Sequence, residues 1–131
     1  MKINHVMLKT PDVFKSTSLY MDVLGFEDTG DYAGHPDGKV LKLNDAILVL
    51  IPTDADSPSN PFHFALEVSD QKKFRKSFED LESLDYNPRS NPQLESSKRL
   101  SKIELAGVSY QKFYFNDPAG TLVEIMCRDE L

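Results

Sequence analysis

The chain has 131 residues, 40% of them hydrophobic and 27% charged, which suits one water-soluble domain with a core of its own. A net charge of -6 and a pI near 5.0 exclude a nucleic-acid binder, which needs a basic face. The single cysteine, Cys127, excludes an internal disulfide framework and fits a reducing compartment, and no apolar run approaches membrane length. The start, Met1-Lys2-Ile3-Asn4-His5, lacks a signal-type apolar segment, so the expectation is a soluble, cytoplasmic protein.

Ile3 to Lys9 alternates as a strand, with Val6 and Leu8 on one face and Ile3, His5 and Met7 on the other. Thr10-Pro11-Asp12 then starts a helix, Val13, Leu19, Val23 and Leu24 form its apolar stripe, and Gly25 stops it. Phe26 to Tyr32 is a weaker strand, Gly34 to Gly38 a turn, and Val40 to Leu43 and Ala46 to Ile51 two short strands parted by Asn44-Asp45. Thr53 to Pro61 reads as a linker. Phe62 to Val68 restarts the pattern, Ser69-Asp70 caps a second helix, and Phe74, Phe78, Leu81 and Leu84 sit at helical spacing. Asn87 to Ser101 is long and polar, a loop or a lid over a ligand, with no strand that its pattern locates. Phe113-Tyr114-Phe115 is a strand, Asn116 to Gly120 a hairpin turn, and Thr121 to Met126 a closing strand.

Glu124 interrupts that last apolar run. A buried carboxylate costs several kcal/mol unless a cation meets it, so Glu124 calls for a lysine, an arginine or a metal. The first half, β-α-β-β-β, is repeated in the second. His63 lies 58 positions after His5 and Asp70 lies 58 after Asp12, whereas Asp45 to Leu50 matches Gly120 to Ile125 at an offset of 75. A pseudo-twofold relation between the halves puts His5 and His63 at equivalent places in the first strands, and Val49 and Glu124 at equivalent places in the last. Both histidines then face away from the helices, on the surface that carries Glu124.

Four stretches resemble the vicinal oxygen chelate superfamily of glyoxalases, bleomycin-resistance proteins, extradiol dioxygenases and fosfomycin thiol transferases. They are Ile3-Asn4-His5-Val6, Tyr20 to Phe26, Phe62 to Val68, and Phe113 to Gly120 with Glu124. The resemblance implies an α+β fold in which two βαβββ modules (about 1–53 and 62–131) form one domain, a cupped mixed sheet with helices outside. It implies one divalent metal (Fe, Mn, Zn or Ni) on His5, His63 and Glu124, with an open coordination face for substrate. Val49 stands where glyoxalase I carries a fourth ligand, which argues against that chemistry and toward a dioxygenase, another lyase or a thiol transferase. Tyr114, ten residues before Glu124, falls where the triad enzymes carry a functional tyrosine, so Tyr114 and Glu124 are the candidate catalytic residues. The implied substrate is a small oxygen-rich or aromatic molecule, and the implied assembly a homodimer; a site within one chain and a site shared between two both suit the sequence. The competing function is metal-free drug binding of the bleomycin-resistance type.

Plainer readings stand beside these. His5 alone reads as a surface histidine, Glu124 alone as a partner of Arg128, and Tyr114 equally as pocket wall or donor. His35 reads as solvated. Met7, Leu122 and Met126 read as apolar wall, and Cys127 as a packed thiol with no neighbour to activate it.

Overall fold

A computed structural model describes residues 1–54, 60, 62–92 and 100–129. These residues form two compact units, Met1–Pro61 with Asp117–Thr121, and Phe62–Asn116 with Leu122–Leu131. The two expected βαβββ modules are present, and each unit carries one four-stranded mixed sheet.

The first unit runs β1 (Val6–Thr10), α1 (Val13–Asp22), β2 (Glu27–Asp31), β3 (Lys39–Leu43) and β4 (Ala46–Pro52), with strand order β1-β4-β3-β2. The strand expected from Ile3 begins three residues later, because ladder pairing starts only at Val6↔Leu48. His5 therefore precedes the strand instead of lying in it. Asp12 caps α1 by accepting the Lys15 N–H at 2.9 Å, and Gly25, at φ +82, takes the left-handed turn that ends it. Helix α1 packs on β4, β3 and β2, and the core is Leu8, Leu19, Tyr20, Phe26, Leu41, Leu48 and Leu50. Each buried leucine contributes about 1.5–3 kcal/mol. The buried side of α1 is more polar than the expected stripe, because Ser16 faces inward and shares a 2.7 Å hydrogen bond with Thr10.

The second unit runs β5 (His63–Val68), α2 (Gln71–Ser83), β6 (Ser101–Leu105), β7 (Val108–Asn116) and β8 (Leu122–Arg128), with order β5-β8-β7-β6. Asp70 caps α2 by accepting the Lys72 N–H at 2.7 Å. Phe74 and Leu81 are fully buried on β8 and β5, while Leu84, expected on the same stripe, is exposed. Asp85, at φ +63, ends α2 as Gly25 ends α1. Of the polar stretch expected as loop or lid, Asn87 to Ser101, residues 93–99 lie outside the described residues, as does most of the 54–61 linker. The stretch closes on a strand that its pattern did not reveal: Ser101–Leu105 is an edge strand paired to β7.

The internal repeat is visible in the register. Val6↔Leu48 in the first unit corresponds, at the two sequence offsets, to Phe64↔Val123 in the second. Met7↔Val49 likewise corresponds to Ala65↔Glu124. His5 and His63 thus each stand two residues before the partner of Val49 and Glu124.

Candidate functional site

In the second unit the two faces of the sheet have opposite chemistry. On β5, Phe64, Leu66 and Val68 alternate with exposed His63, Ala65 and Glu67. Val123, Ile125, Phe113 and Phe115 continue the apolar face, where the Phe113 ring meets Phe74 at 5.3 Å and Phe78 at 5.2 Å. Strand pairing then places Glu124, Tyr114 and Ala65 side by side on the face away from α2, with Met126 and Lys112 one step along it.

Four polar side chains of that face meet around Glu124. His63 Nε2 lies 3.6 Å from Glu124 Oε1, an ion pair whenever the imidazole is protonated. Lys112 Nζ lies 4.0 Å from the other carboxylate oxygen. The same ammonium donates a 3.0 Å hydrogen bond to the Tyr114 hydroxyl and sits 4.3 Å from the centre of that ring. The His63 ring meets Tyr114 edge-on at 6.1 Å. Glu124 is 6% exposed, Lys112 and Tyr114 are each 8% exposed, and the His63 side chain is 53% exposed, so the imidazole is the solvent-facing member of the group.

Of the expected site residues, the structure brings together His63, Glu124 and Tyr114. His5 lies in the first unit, exposed, with Nδ1 2.9 Å from its neighbour Asn4 Oδ1. Val49 is buried, as an apolar residue at the place equivalent to Glu124. Sequence reasoning missed Lys112. A lysine in a strand reads as solvent-facing, and only the register, with Lys112↔Met126 next to Tyr114↔Glu124, makes it the diagonal neighbour of the buried carboxylate. The cation that Glu124 requires is thus present within the chain.

A divalent metal places its nitrogen and oxygen ligands about 2.0–2.2 Å away, so two donors of one metal stand close to the separation of His63 Nε2 and Glu124 Oε1. An imidazole and a carboxylate of this kind fit two positions of such a shell. Among the described residues no group of three or more His, Cys, Asp and Glu side chains converges. A groove of about 850 Å3 runs along α2, lined by Lys72, Arg75, Lys76, Glu79 and Asp80 among others; His63, Tyr114 and Glu124 are not in its lining. Its charges are mixed and Lys72, Arg75, Lys76 and Glu79 are exposed, so the convergent group on the opposite sheet face is the stronger candidate.

A second polar cluster lies in the first unit. Asp117, in the turn before β8, accepts the Tyr20 O–H at 2.7 Å and the N–H groups of Ala119 and Thr121, each at 2.9 Å. Burial pushes the Asp117 carboxyl above its ordinary 3.8, partly offset by these donors. Burial, then the neighbouring carboxylate, pushes the Tyr20 phenol well above its ordinary value. With every Asp117 bond satisfied from within, the cluster holds the turn.

Two βαβββ units in matching register, with a histidine–carboxylate pair on one sheet face, define a paired-module fold of the glyoxalase type. The chain belongs to the Glyoxalase/Bleomycin resistance protein/Dioxygenase superfamily, whose family model matches residues 2–125. Among solved structures it is similar to the oxidase ChaP-H2, at 22% identity and a TM-score of 0.78, covering 98% of this chain and 94% of that one. It is also similar to a virulence protein from Salmonella typhimurium, at 16% identity and a TM-score of 0.73 over 97% and 96% of the two chains. A lactoylglutathione lyase from Agrobacterium tumefaciens shares 20% identity, with a TM-score of 0.63 over 96% and 92%. At these identities the likeness establishes the fold. No curated protein matches the chain.

Proposed function

We propose that the chain is an enzyme acting on a small oxygen-rich or aromatic molecule at the face of His63, Tyr114 and Glu124, with a divalent metal held by His63 and Glu124. The observation that carries this reading is the 3.6 Å approach of His63 Nε2 to Glu124 Oε1, with the imidazole facing solvent. When bound, the metal supplies Lewis-acid polarisation of a substrate oxygen. The chain's own residues do the rest. Because Lys112 donates to the Tyr114 oxygen, the Tyr114 proton is left for a ligand oxygen, where it stabilises developing negative charge. Leu122 and Met126 flank Glu124 on its own face and offer apolar surface to the rest of a small molecule.

His5, which the family resemblance implies as a third donor, is proposed as one, and loss of metal from His5→Ala supports it. The proposed assembly is a homodimer in the cytoplasm, a setting that suits the buried thiol of Cys127. A second reading, metal-free binding of a small molecule, is favoured by one observation, the Lys112 ammonium beside Glu124.

The test is metal stoichiometry after loading with Fe(II), Mn(II), Zn(II) or Ni(II), in the wild type and in His63→Ala, Glu124→Gln and His5→Ala. About one metal per chain, lost with His63→Ala and Glu124→Gln, supports the enzyme reading. No metal in the wild type leaves metal-free binding as the function.

A further inference from the structure

Lys112 is given no direct contact with substrate or metal by that function, yet it is the most unusual residue of the site. It is a lysine 8% exposed, on a strand between Gln111 and Phe113, with its ammonium inserted between a phenol and a carboxylate. Buried ammonium groups need a partner, and Lys112 has two: the Tyr114 oxygen at 3.0 Å and Glu124 Oε2 at 4.0 Å. The first is a hydrogen bond. The second is too long for one and is an electrostatic pairing.

This geometry makes Lys112 and a divalent cation alternatives for one carboxylate. Glu124 offers Oε1 toward His63 and Oε2 toward Lys112. A dication held by Glu124 and His63 would share the Glu124 carboxylate with the Lys112 ammonium. Two positive charges on one carboxylate repel even at the high effective dielectric of a protein site, by about tenfold or more in affinity.

We infer that Lys112 is the internal counter-ion of Glu124, a built-in competitor that keeps the metal-free protein electrically neutral at this site and sets its metal affinity low. The inference rests on the reading of His63 and Glu124 as metal donors. It makes two demands. The metal-free protein is folded and stable, because the carboxylate is already paired. Removing the lysine charge then tightens metal binding while weakening the metal-free protein. Tyr114 holds the ammonium in place during the exchange.

The experiment is Zn(II) and Mn(II) titration against a competing chelator, in the wild type, Lys112→Gln and Lys112→Met, beside urea unfolding of the metal-free proteins. Lys112→Gln keeps a donor for the Tyr114 hydroxyl and covers the case in which Lys112→Met fails to fold. Either variant is expected to bind metal at least tenfold more tightly than the wild type. In the metal-free state, Glu124→Gln is expected to restore most of the stability that Lys112→Gln loses, a coupling that a merely structural lysine does not show. Equal or weaker metal binding in both variants overturns the inference, as does additivity of the two substitutions in the metal-free protein. Binding that is insensitive to Glu124→Gln points instead to failure of the donor assignment, a separate outcome from the unfolding cycle.

Discussion

Replacing Asp117 tests how much of the first unit depends on one buried carboxylate. Asp117→Ala removes the acceptor from three donors, the Tyr20 O–H and the N–H groups of Ala119 and Thr121. Tyr20 and Thr121 are fully buried, so water does not replace the lost bond without entering the core, and each unpaired donor costs about 1–3 kcal/mol. Ala119 is partly exposed and recovers a water. The expected loss is about 3–5 kcal/mol, a large part of the ~5–15 kcal/mol that holds a domain together. Asp117→Asn keeps an oxygen for both backbone donors and a polar contact for Tyr20, and separates charge from shape. The carboxyl is raised above its ordinary 3.8 in the fold, so between the unfolded and folded values the native state binds the extra proton. Stability due to this group is therefore fully present below about pH 3.8 and is lost as pH rises through the folded value. Asp117→Asn is thus expected to gain on the wild type from pH 3 to pH 7. Urea midpoints at constant m report both quantities. An Asp117→Ala cost below about 1 kcal/mol, or an Asn variant that loses ground as pH rises, refutes the reasoning.

Three further outcomes follow from packing and backbone. Phe113→Ala empties a fully buried place between Phe74 and Phe78, and is expected to cost about 3–5 kcal/mol in urea unfolding. Gly25→Ala meets no atom within 4 Å but sits at φ +82, so backbone strain alone is expected to cost about 1–2 kcal/mol. Asn60 accepts the Lys9 N–H at 2.9 Å and donates to the Lys9 carbonyl at 3.0 Å, standing in for a strand neighbour on the edge of β1. Asn60→Ala is expected to speed hydrogen exchange at the Lys9 amide about tenfold or more, with a loss near 1 kcal/mol.

The repeat was legible because its signals are local. Period-two alternation around His63, the caps Asp12 and Asp70, and the turn glycines act within a few residues, and the two offsets carried His5 onto His63 and Val49 onto Glu124. What failed depended on partners distant in sequence. Ile3 to His5 has strand character but no ladder partner, so β1 starts at Val6. Ser101–Leu105 is a mostly exposed edge strand, and its polar composition hid it until β7 paired with it. Asp117 read as an ordinary turn residue because the phenol it accepts from, Tyr20, is remote in the chain. For Glu124 the sequence stated the need, a cation, and the register supplied the answer, Lys112.

The most direct test of the central claim is where a divalent ion goes. Mn(II) broadens NMR signals of nuclei near it, so a titration followed on the imidazole resonances of the three histidines places the ion without any assay of activity. His63 is expected to broaden at substoichiometric Mn(II), and Glu124→Gln to abolish the effect. A His63 signal that stays sharp through one equivalent of Mn(II) contradicts this placement.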